Sequence, residues 1–216
     1  MQITIREPGS AITHYIGMLL SLFAAIPLLM KAELSRIPSA ITAMEIFILA
    51  MILLYAASTV YHSLNVKNGI LNVFRKLDHM MIFVLIAGTY TPICMLVLKG
   101  RAGMLLLCAI WGIAAAGMLL KAFWISCPKW FSSIIYIAMG WACLFVFPLL
   151  LKVLPKPAFL WLLAGGILYT AGGVLYALKL KGFNSLHKYF GSHEIFHLFV
   201  MAGSFCHFIV MYCYVL

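Results

Sequence analysis

Long runs of apolar residues, separated by short polar connections, fill most of the 216-residue chain. A helix needs about 20 apolar residues to cross the roughly 30 Å hydrocarbon core of a bilayer. Seven runs reach that length, so the pattern predicts an all-α bundle of seven transmembrane helices in a single integral membrane domain, residues 1–216. The predicted spans lie near residues 11–30, 41–63, 77–98, 102–121, 131–151, 158–178 and 193–215.

The composition supports a membrane protein. Hydrophobic residues make up 65% of the chain and charged residues only 9%, and the mean hydropathy is +1.09. A soluble domain of this size could not bury that much apolar surface, so lipid must be its main solvent. The first run is longer than the core of a signal peptide and has no clear small-x-small cleavage site, so we expect it to remain as a helix.

The net charge of +10 comes from basic residues whose distribution predicts the orientation of the chain in the membrane and argues against a nucleic-acid partner. A nucleic-acid-binding surface needs a basic patch, but the 15 basic residues are scattered through every connection. Cytoplasmic loops carry an excess of Lys and Arg, and the first side holds nine of these residues against six, which predicts a cytoplasmic N-terminus and an external C-terminus. The nine are Arg6, Lys67, Arg75, Lys76, Lys121, Lys129, Lys179, Lys181 and Lys188, and the six are Lys31, Arg36, Lys99, Arg101, Lys152 and Lys156.

Glycines and prolines within the spans predict where helices approach closely or bend. Two glycine pairs in the sixth span repeat after seven residues, a spacing that indicates a packing face between helices. Proline within a helix removes a backbone donor and kinks the helix locally. The glycines are Gly165, Gly166, Gly172 and Gly173, and the prolines are Pro27, Pro92 and Pro148.

Residues that can bind a metal lie at the ends of three predicted spans. Ser58 and His62 are four residues apart at the end of the second span, and His193 and His197 repeat that spacing at the start of the seventh. Side chains four residues apart share one face of a helix. Asp78 opens the third predicted span. Each pair therefore presents its polar side chains in one direction.

The direction of these spans brings the five residues to one side of the membrane. The second span ends on the side of the membrane on which the third and seventh spans begin. All five residues therefore lie at the predicted cytoplasmic level. A single histidine pair at a helix end is usually interfacial or bonded to a neighbouring helix. Ionisable groups within a membrane are rare and mostly functional. Four ionisable groups and a serine at one level therefore favour a metal site over a structural cluster.

Three imidazoles with a fourth position open are typical of catalytic zinc. Zinc can lower the pKa of its bound water to about 7 and so provide a nucleophile at neutral pH. We therefore predict zinc as the cofactor, with His62, His193 and His197 as its ligands. Asp78 is the predicted proton acceptor, and Ser58 is expected to orient a ligand or donate to a developing oxyanion.

Three other histidines lie near this predicted site. His14 opens the first span on the same side, and it is either an outer partner of the ligands or a helix-end histidine bonded to a neighbour. His79 follows Asp78, so it is turned by about 100° around the helix and is expected to face elsewhere. His207 lies about 15 Å further along its helix than His197, too far to share the ion.

Glu194 raises a different possibility, because His193, Glu194 and His197 satisfy the H-E-x-x-H pattern. In metalloproteases with this pattern the glutamate is the general base, so an intramembrane protease is an alternative. The pattern is short enough to arise by chance, and it lies in the last span. We therefore favour Asp78 over Glu194 as the base.

These motifs resemble those of a known membrane family. S-x-x-x-H late in the second span, Asp78 at the third and H-x-x-x-H at the seventh resemble the hemolysin III branch of the progestin and adipoQ receptor family. Residues 7–14 resemble its N-terminal segment, although Ser10 stands where asparagine is expected. The resemblance covers nearly the full chain. It implies a multi-pass protein of the plasma membrane, in bacteria the inner membrane, with zinc held by His62, His193 and His197.

The resemblance also implies kinship with membrane hydrolases such as the alkaline ceramidases. Receptors of the family have been linked to cleavage of lipid amides, and bacterial members are named for haemolysis. The leading hypothesis is a zinc-dependent hydrolase that acts on an amide or ester bond of a membrane lipid. One alternative is a receptor or sensor of a lipid or membrane state that contains a structural zinc. A haemolysin-type membrane-damaging protein is the other, disfavoured because no long amphipathic segment could insert from water.

Overall fold

The computed structural model describes residues 5–178 and 190–216. Within these ranges the regular secondary structure is helical and contains no strand. In the described part of the chain, seven helices are long and apolar enough to cross a membrane. The predicted all-α, seven-helix membrane architecture is therefore confirmed. Three basic residues that support the predicted orientation, Lys179, Lys181 and Lys188, lie outside the described residues.

The helices follow one another through short connections. The first four are α1 (Pro8–Ser35), α2 (Ala40–Ser63), α3 (Asn68–Pro92) and α4 (Arg101–Phe123). The next four are α5 (Lys129–Gly140), α6 (Phe147–Val153), α7 (Lys156–Leu178) and α8 (Ser192–Val210). Two π-helical turns, Ile93–Val97 and Met211–Val215, extend α3 and α8, and a 3₁₀ segment, Trp141–Val146, joins α5 to α6.

The third helix begins earlier than the apolar pattern predicts. α3 starts at Asn68, nine residues before the predicted start of the span. Its first turns carry Arg75 and Lys76, which a count of apolar residues leaves out. A helix can nevertheless include them, because their charged ends lie outside the hydrocarbon. Asp78 therefore does not open the helix. It lies about three turns inside α3, where it is buried.

The fifth membrane crossing is interrupted, because α5 ends at Gly140 and the chain continues as a 3₁₀ segment until α6. Pro148 lies in the first turn of α6. It has no backbone N–H and its ring crowds the carbonyl of Leu144, so an uninterrupted α-helix is unfavourable here. The interruption places Gly140 and Trp141 on the wall of an internal cavity.

Six helices form a closed ring in the order α1, α2, α3, α5, α7 and α8, and α4 packs outside the ring against α3. Large apolar side chains cover the outer surface; Phe145 is 90% exposed and Phe123 is 88% exposed. Such surfaces are unfavourable in water, but lipid tails solvate them. Residues of all six ring helices line the cavity.

The glycines of α7 face two different helices. A Cβ added to Gly165 would lie 2.5 Å from the His207 ring, and one added to Gly172 would lie 2.9 Å from the Cβ of Phe199, so both glycines let α8 approach closely. Gly173 faces Ile137 on α5. Small residues at both contacts allow α7 to pack between its two neighbours.

A substitution at the contact of α2 with α3 tests this close packing. The Cβ of Gly88→Ala would lie 2.5 Å from the Cβ of Ala50 and 3.2 Å from the carbonyl oxygen of Ile46. We expect a loss of about 1–3 kcal/mol in stability, because the two helices must move apart. Thermal denaturation of the purified protein in detergent measures it. Gly112→Ala is the control, since nothing lies within 4 Å of its added Cβ; equal unfolding midpoints for both variants would contradict the prediction.

Candidate metal centre

The end of α2 presents two polar side chains to the interior. Ser58 and His62 lie one turn apart on the same face, and they are only 1% and 2% exposed. The backbone N–H of Glu7 donates to the carbonyl oxygen of His62 at 3.0 Å and holds the end of α2 against the start of α1. Buried polar groups need partners, and those of His62 come from the N-terminal segment and α8.

The start of α8 brings two more imidazoles to the same place. His193 and His197 lie in the first two turns of α8 and face His62. The ring centroid of His62 lies 5.0 Å from that of His193 and 5.2 Å from that of His197. The centroids of His193 and His197 are 4.5 Å apart. One potential ligand nitrogen from each ring lies within 4.8 Å of the other two. The three histidines are therefore close enough to hold one metal ion.

Residues of the N-terminal segment and α1 orient two of the three rings. His62 Nδ1 donates to the carboxylate of Glu7. The hydroxyl of Thr13 donates to backbone carbonyls one turn earlier in α1, so it accepts a hydrogen bond from His197 Nδ1 at 3.0 Å. With Nδ1 protonated in both rings, each Nε2 keeps its lone pair for a metal. Such outer partners fix the tautomer and direction of metal-binding histidines.

The spacing of the nitrogens matches a tetrahedral metal. Two nitrogens bound to one zinc ion at about 2.0–2.1 Å lie about 3.3–3.4 Å apart in tetrahedral geometry. The Nε2 atoms of His62 and His193 are 3.3 Å apart. This pair therefore has the separation of two ligands of one tetrahedral ion, and the third imidazole nitrogen lies within 4.8 Å of both.

Asp78 and Ser58 lie beside this group without belonging to it. Among the described residues, the atoms within mutual reach are three imidazole nitrogens and no carboxylate oxygen. Asp78 and Ser58 line the same cavity as His193 and His197. The Ser58 hydroxyl is buried beside the Asp78 carboxylate. A carboxylate and a hydroxyl therefore lie next to the three rings.

The structure also places the two remaining histidines of this end. His14 is buried, and its ring stacks on that of His197 with centroids 3.5 Å apart. The prediction that His79 faces away from the site is wrong, because its Nδ1 lies 3.4 Å from a carboxylate oxygen of Asp78. The angle around the helix misled the prediction, because long side chains reach back toward the preceding turn. His79 Nδ1 also contacts the carbonyl oxygen of Arg75 at 2.9 Å.

The Glu194 carboxylate has one partner at the start of α8 and one on α1, and Glu194 is not among the residues that line the cavity. Its carboxylate accepts hydrogen bonds from the backbone N–H of Gly191, at 2.7 Å, and from the hydroxyl of Ser10. The first contact caps the start of α8, and the second joins α8 to α1. Ser10, where the family pattern led us to expect asparagine, thus still connects the first helix to the last. The contacts of Glu194 do not support the general-base role of the H-E-x-x-H pattern.

Sequence reasoning overlooked Glu7 and Thr13 as partners of the ligands. The rarity of carboxylates is the signal that could have found Glu7, since the chain has only five acidic residues. Glu7, Asp78 and Glu194 all lie at this end of the bundle. The hydrogen bond from His62 holds the pKa of the Glu7 carboxyl below its usual value. Thr13 has no such signal, because hydroxyls are common in membrane helices.

Comparison with known proteins adds the family. A sequence model described as Haemolysin-III related matches residues 2–208. The chain belongs to the haemolysin-III family. That family is part of the progestin and adipoQ receptor family, so the resemblance seen in the motifs is confirmed.

Two bacterial relatives match over nearly their whole length. Hemolysin-3 of Bacillus cereus is 38% identical over 215 residues, which cover 100% of this chain and 94% of the relative. The Hemolysin-3 homolog of Bacillus subtilis strain 168 is 37% identical over 215 residues, which cover 97% of this chain and 96% of the relative. No solved structure matches the chain.

Removing the partner of His62 tests the metal centre. We expect Glu7→Ala to weaken metal binding by about 10- to 100-fold, because the His62 ring loses the carboxylate that fixes its tautomer. Titration of the metal-free protein with Co²⁺, followed by visible absorption, measures the affinity. Glu33→Ala, at the far end of α1, is the control with unchanged affinity. Equal affinities for Glu7→Ala and the unmodified protein would contradict the prediction.

Proposed function

We propose that the protein is a zinc-dependent hydrolase that cleaves an amide or ester bond of a membrane lipid. The observation that carries this proposal is the group of three imidazoles beside a cavity that also contains Asp78 and Ser58. His62, His193 and His197 would hold the zinc, a ligand set typical of sites with an open position. When bound, zinc supplies Lewis-acid activation of a water molecule or a carbonyl oxygen.

Asp78 is the proposed general base. Its carboxylate is buried but lies outside the group of mutually close nitrogens, so it is available for proton transfer. It takes a proton from the water that attacks the carbonyl carbon and passes it to the departing amine or alcohol as the bond breaks. His79, whose Nδ1 lies 3.4 Å from Asp78, stabilises the charge of the carboxylate.

Ser58 is the proposed hydrogen-bond donor to the substrate. Its hydroxyl lies one turn deeper than His62 and beside the Asp78 carboxylate, and the residue lines the cavity. A hydroxyl that donates to the reacting carbonyl stabilises the negative charge that develops on its oxygen.

The cavity supports a lipid substrate. It has a volume of about 140 Å³ and extends from Asp78 and His197 to His207. Its walls between these ends are mostly aliphatic and aromatic side chains of α3, α5 and α7. A hydrocarbon chain would lie along these walls while the bond to be cleaved lies beside the three imidazoles.

We also propose that the N-terminus is cytoplasmic, in the cytoplasmic membrane of a bacterium, because of the charge distribution and the two Bacillus relatives. Lys and Arg are enriched in cytoplasmic loops, so the metal centre would face the cytoplasm. Alkaline phosphatase folds to its active form only outside the cytoplasm, so a fusion after Leu216 reports the side of the membrane on which the C-terminus lies. We expect high phosphatase activity from this fusion and low activity from one placed in the connection between α2 and α3. The reverse pattern would contradict the orientation.

Replacement of the base tests the proposed reaction. The purified protein is expected to contain about one zinc ion per chain and to release fatty acid from a ceramide or another lipid amide or ester. Asp78→Asn is expected to keep its zinc and to lower turnover by about 10²–10⁴-fold, because no carboxylate accepts the proton. Metal analysis and fatty-acid release measure the two effects. Glu45→Gln, at the opposite side of the membrane, is the control.

Other outcomes of these measurements favour the alternatives. Loss of zinc and of thermal stability in Asp78→Asn, with no turnover of any lipid by the unmodified protein, would indicate a structural zinc in a sensor or receptor. The relatives are named hemolysins, so membrane damage is the second candidate. Conductance of the purified protein in planar bilayers, again without lipid turnover, would favour it.

A further inference from the structure

The far end of the cavity contains a polar group that the metal centre does not use. His207 is buried, lines this end of the cavity, and lies ten residues after His197 on α8. Ten residues of helix correspond to about 15 Å. A polar side chain so deep in an apolar bundle is costly unless it is paired, so its hydrogen bonds are informative.

The contacts of His207 define which nitrogen is free. Its Nε2 lies 3.2 Å from the carbonyl oxygen of Leu162, and a carbonyl only accepts, so the hydrogen is on Nε2. The edge formed by Cδ2 and Nε2 packs against Gly165, where an added Cβ would be 2.5 Å from both atoms. Nδ1 is the ring atom opposite that edge. It is buried and has no hydrogen-bond partner among residues 5–178 and 190–216.

The ring is a hydrogen-bond acceptor at Nδ1. A charged imidazole in apolar surroundings needs a counter-ion, and no carboxylate of the described chain contacts His207. A neutral ring with its hydrogen on Nε2 has a lone pair on Nδ1. That lone pair has no donor in the described part of the chain.

Four hydroxyls that line the same cavity have other hydrogen-bond partners. Thr89 donates to the carbonyl oxygen of Leu85 at 2.8 Å, and Thr170 donates to that of Gly166 at 2.7 Å. Tyr90 donates to the carbonyl oxygen of Gly140 at 2.6 Å. Tyr169 lies 2.8 Å from the hydroxyl of Ser204. Within the described residues His207 Nδ1 is therefore a buried acceptor without a partner, and a ligand whose donor reaches it by a small shift of the ring gains a buried hydrogen bond.

We propose that His207 Nδ1 accepts a hydrogen bond from a hydroxyl carried partway along the hydrocarbon chain of the lipid, so that the preferred lipids are those with a mid-chain hydroxyl. This inference rests on the proposed function for the placement of the lipid, with its cleavable bond beside His197 and its chain directed toward His207. A chain without the hydroxyl fills the same space but leaves the acceptor unpaired.

A matched pair of fatty acids tests the proposal. Ricinoleate and oleate have the same chain and double bond and differ by one mid-chain hydroxyl. We expect the unmodified protein, reconstituted with zinc in detergent, to bind ricinoleate about twofold to tenfold more tightly than oleate. Isothermal titration measures both affinities. His207→Leu should reverse the order, because the hydroxyl would then be buried without an acceptor.

Two further variants separate this role from a general change in the cavity. Thr89→Val removes a hydroxyl that already bonds its own helix, so the preference for ricinoleate should remain. Gly165→Ala displaces the His207 ring and should reduce the preference while the ring is still present. Equal affinities of the unmodified protein for the two acids overturn the proposal even where a variant does not fold, and so does a preference that persists in His207→Leu.

The hydrolysis of the corresponding ethanolamides distinguishes this inference from the proposed function. Tighter binding of ricinoleate that is lost in His207→Leu supports the His207 acceptor, whether or not the ethanolamides are cleaved. If neither ethanolamide is cleaved, that result counts against the proposed hydrolase only. Cleavage of both ethanolamides with equal kcat/KM, together with equal binding of the two acids, overturns the hydroxyl preference and leaves the hydrolase intact.

Discussion

The pairing of buried polar groups at one end of an apolar bundle is the constraint on which the site depends. Lipid offers no hydrogen bonds, so partners within the protein stabilise the buried ionisable groups. The N-terminal segment and first turns of α1 supply most of these partners: Glu7 binds His62, Thr13 binds His197, and Ser10 binds Glu194. These contacts hold α1 against both α2 and α8 and direct the imidazoles toward one another.

A second constraint shapes the interior beyond the metal centre. Proline interrupts the fifth crossing, and glycines let α7 approach α8 closely, so the ring of helices has both a tight contact and an open space. The open space becomes a cavity that runs from the imidazoles to His207. The same features that leave room for a lipid chain also press the His207 ring against α7 and turn its second nitrogen away from that helix.

The sequence predicted the helical architecture well because lipid imposes one simple rule, a continuous apolar run of sufficient length. It located the start of α3 poorly, since Arg75 and Lys76 extend that helix beyond the hydrocarbon without adding apolar residues. The four-residue spacing identified the histidine pairs because helix geometry alone sets that relation. The same geometry failed for His79, whose side chain reaches back to Asp78.

The sequence by itself determined the number of helices, the family and the three histidines, because apolar length and local spacing are properties of one segment at a time. Only the tertiary structure decided that the imidazole nitrogens lie within reach of one ion, that Glu194 caps a helix, and that Glu7 and Thr13 orient the rings. The contacts of Glu7 with His62 and of Thr13 with His197 join residues that are 55 and 184 positions apart. Their distances depend on how the helices pack, which no local pattern specifies.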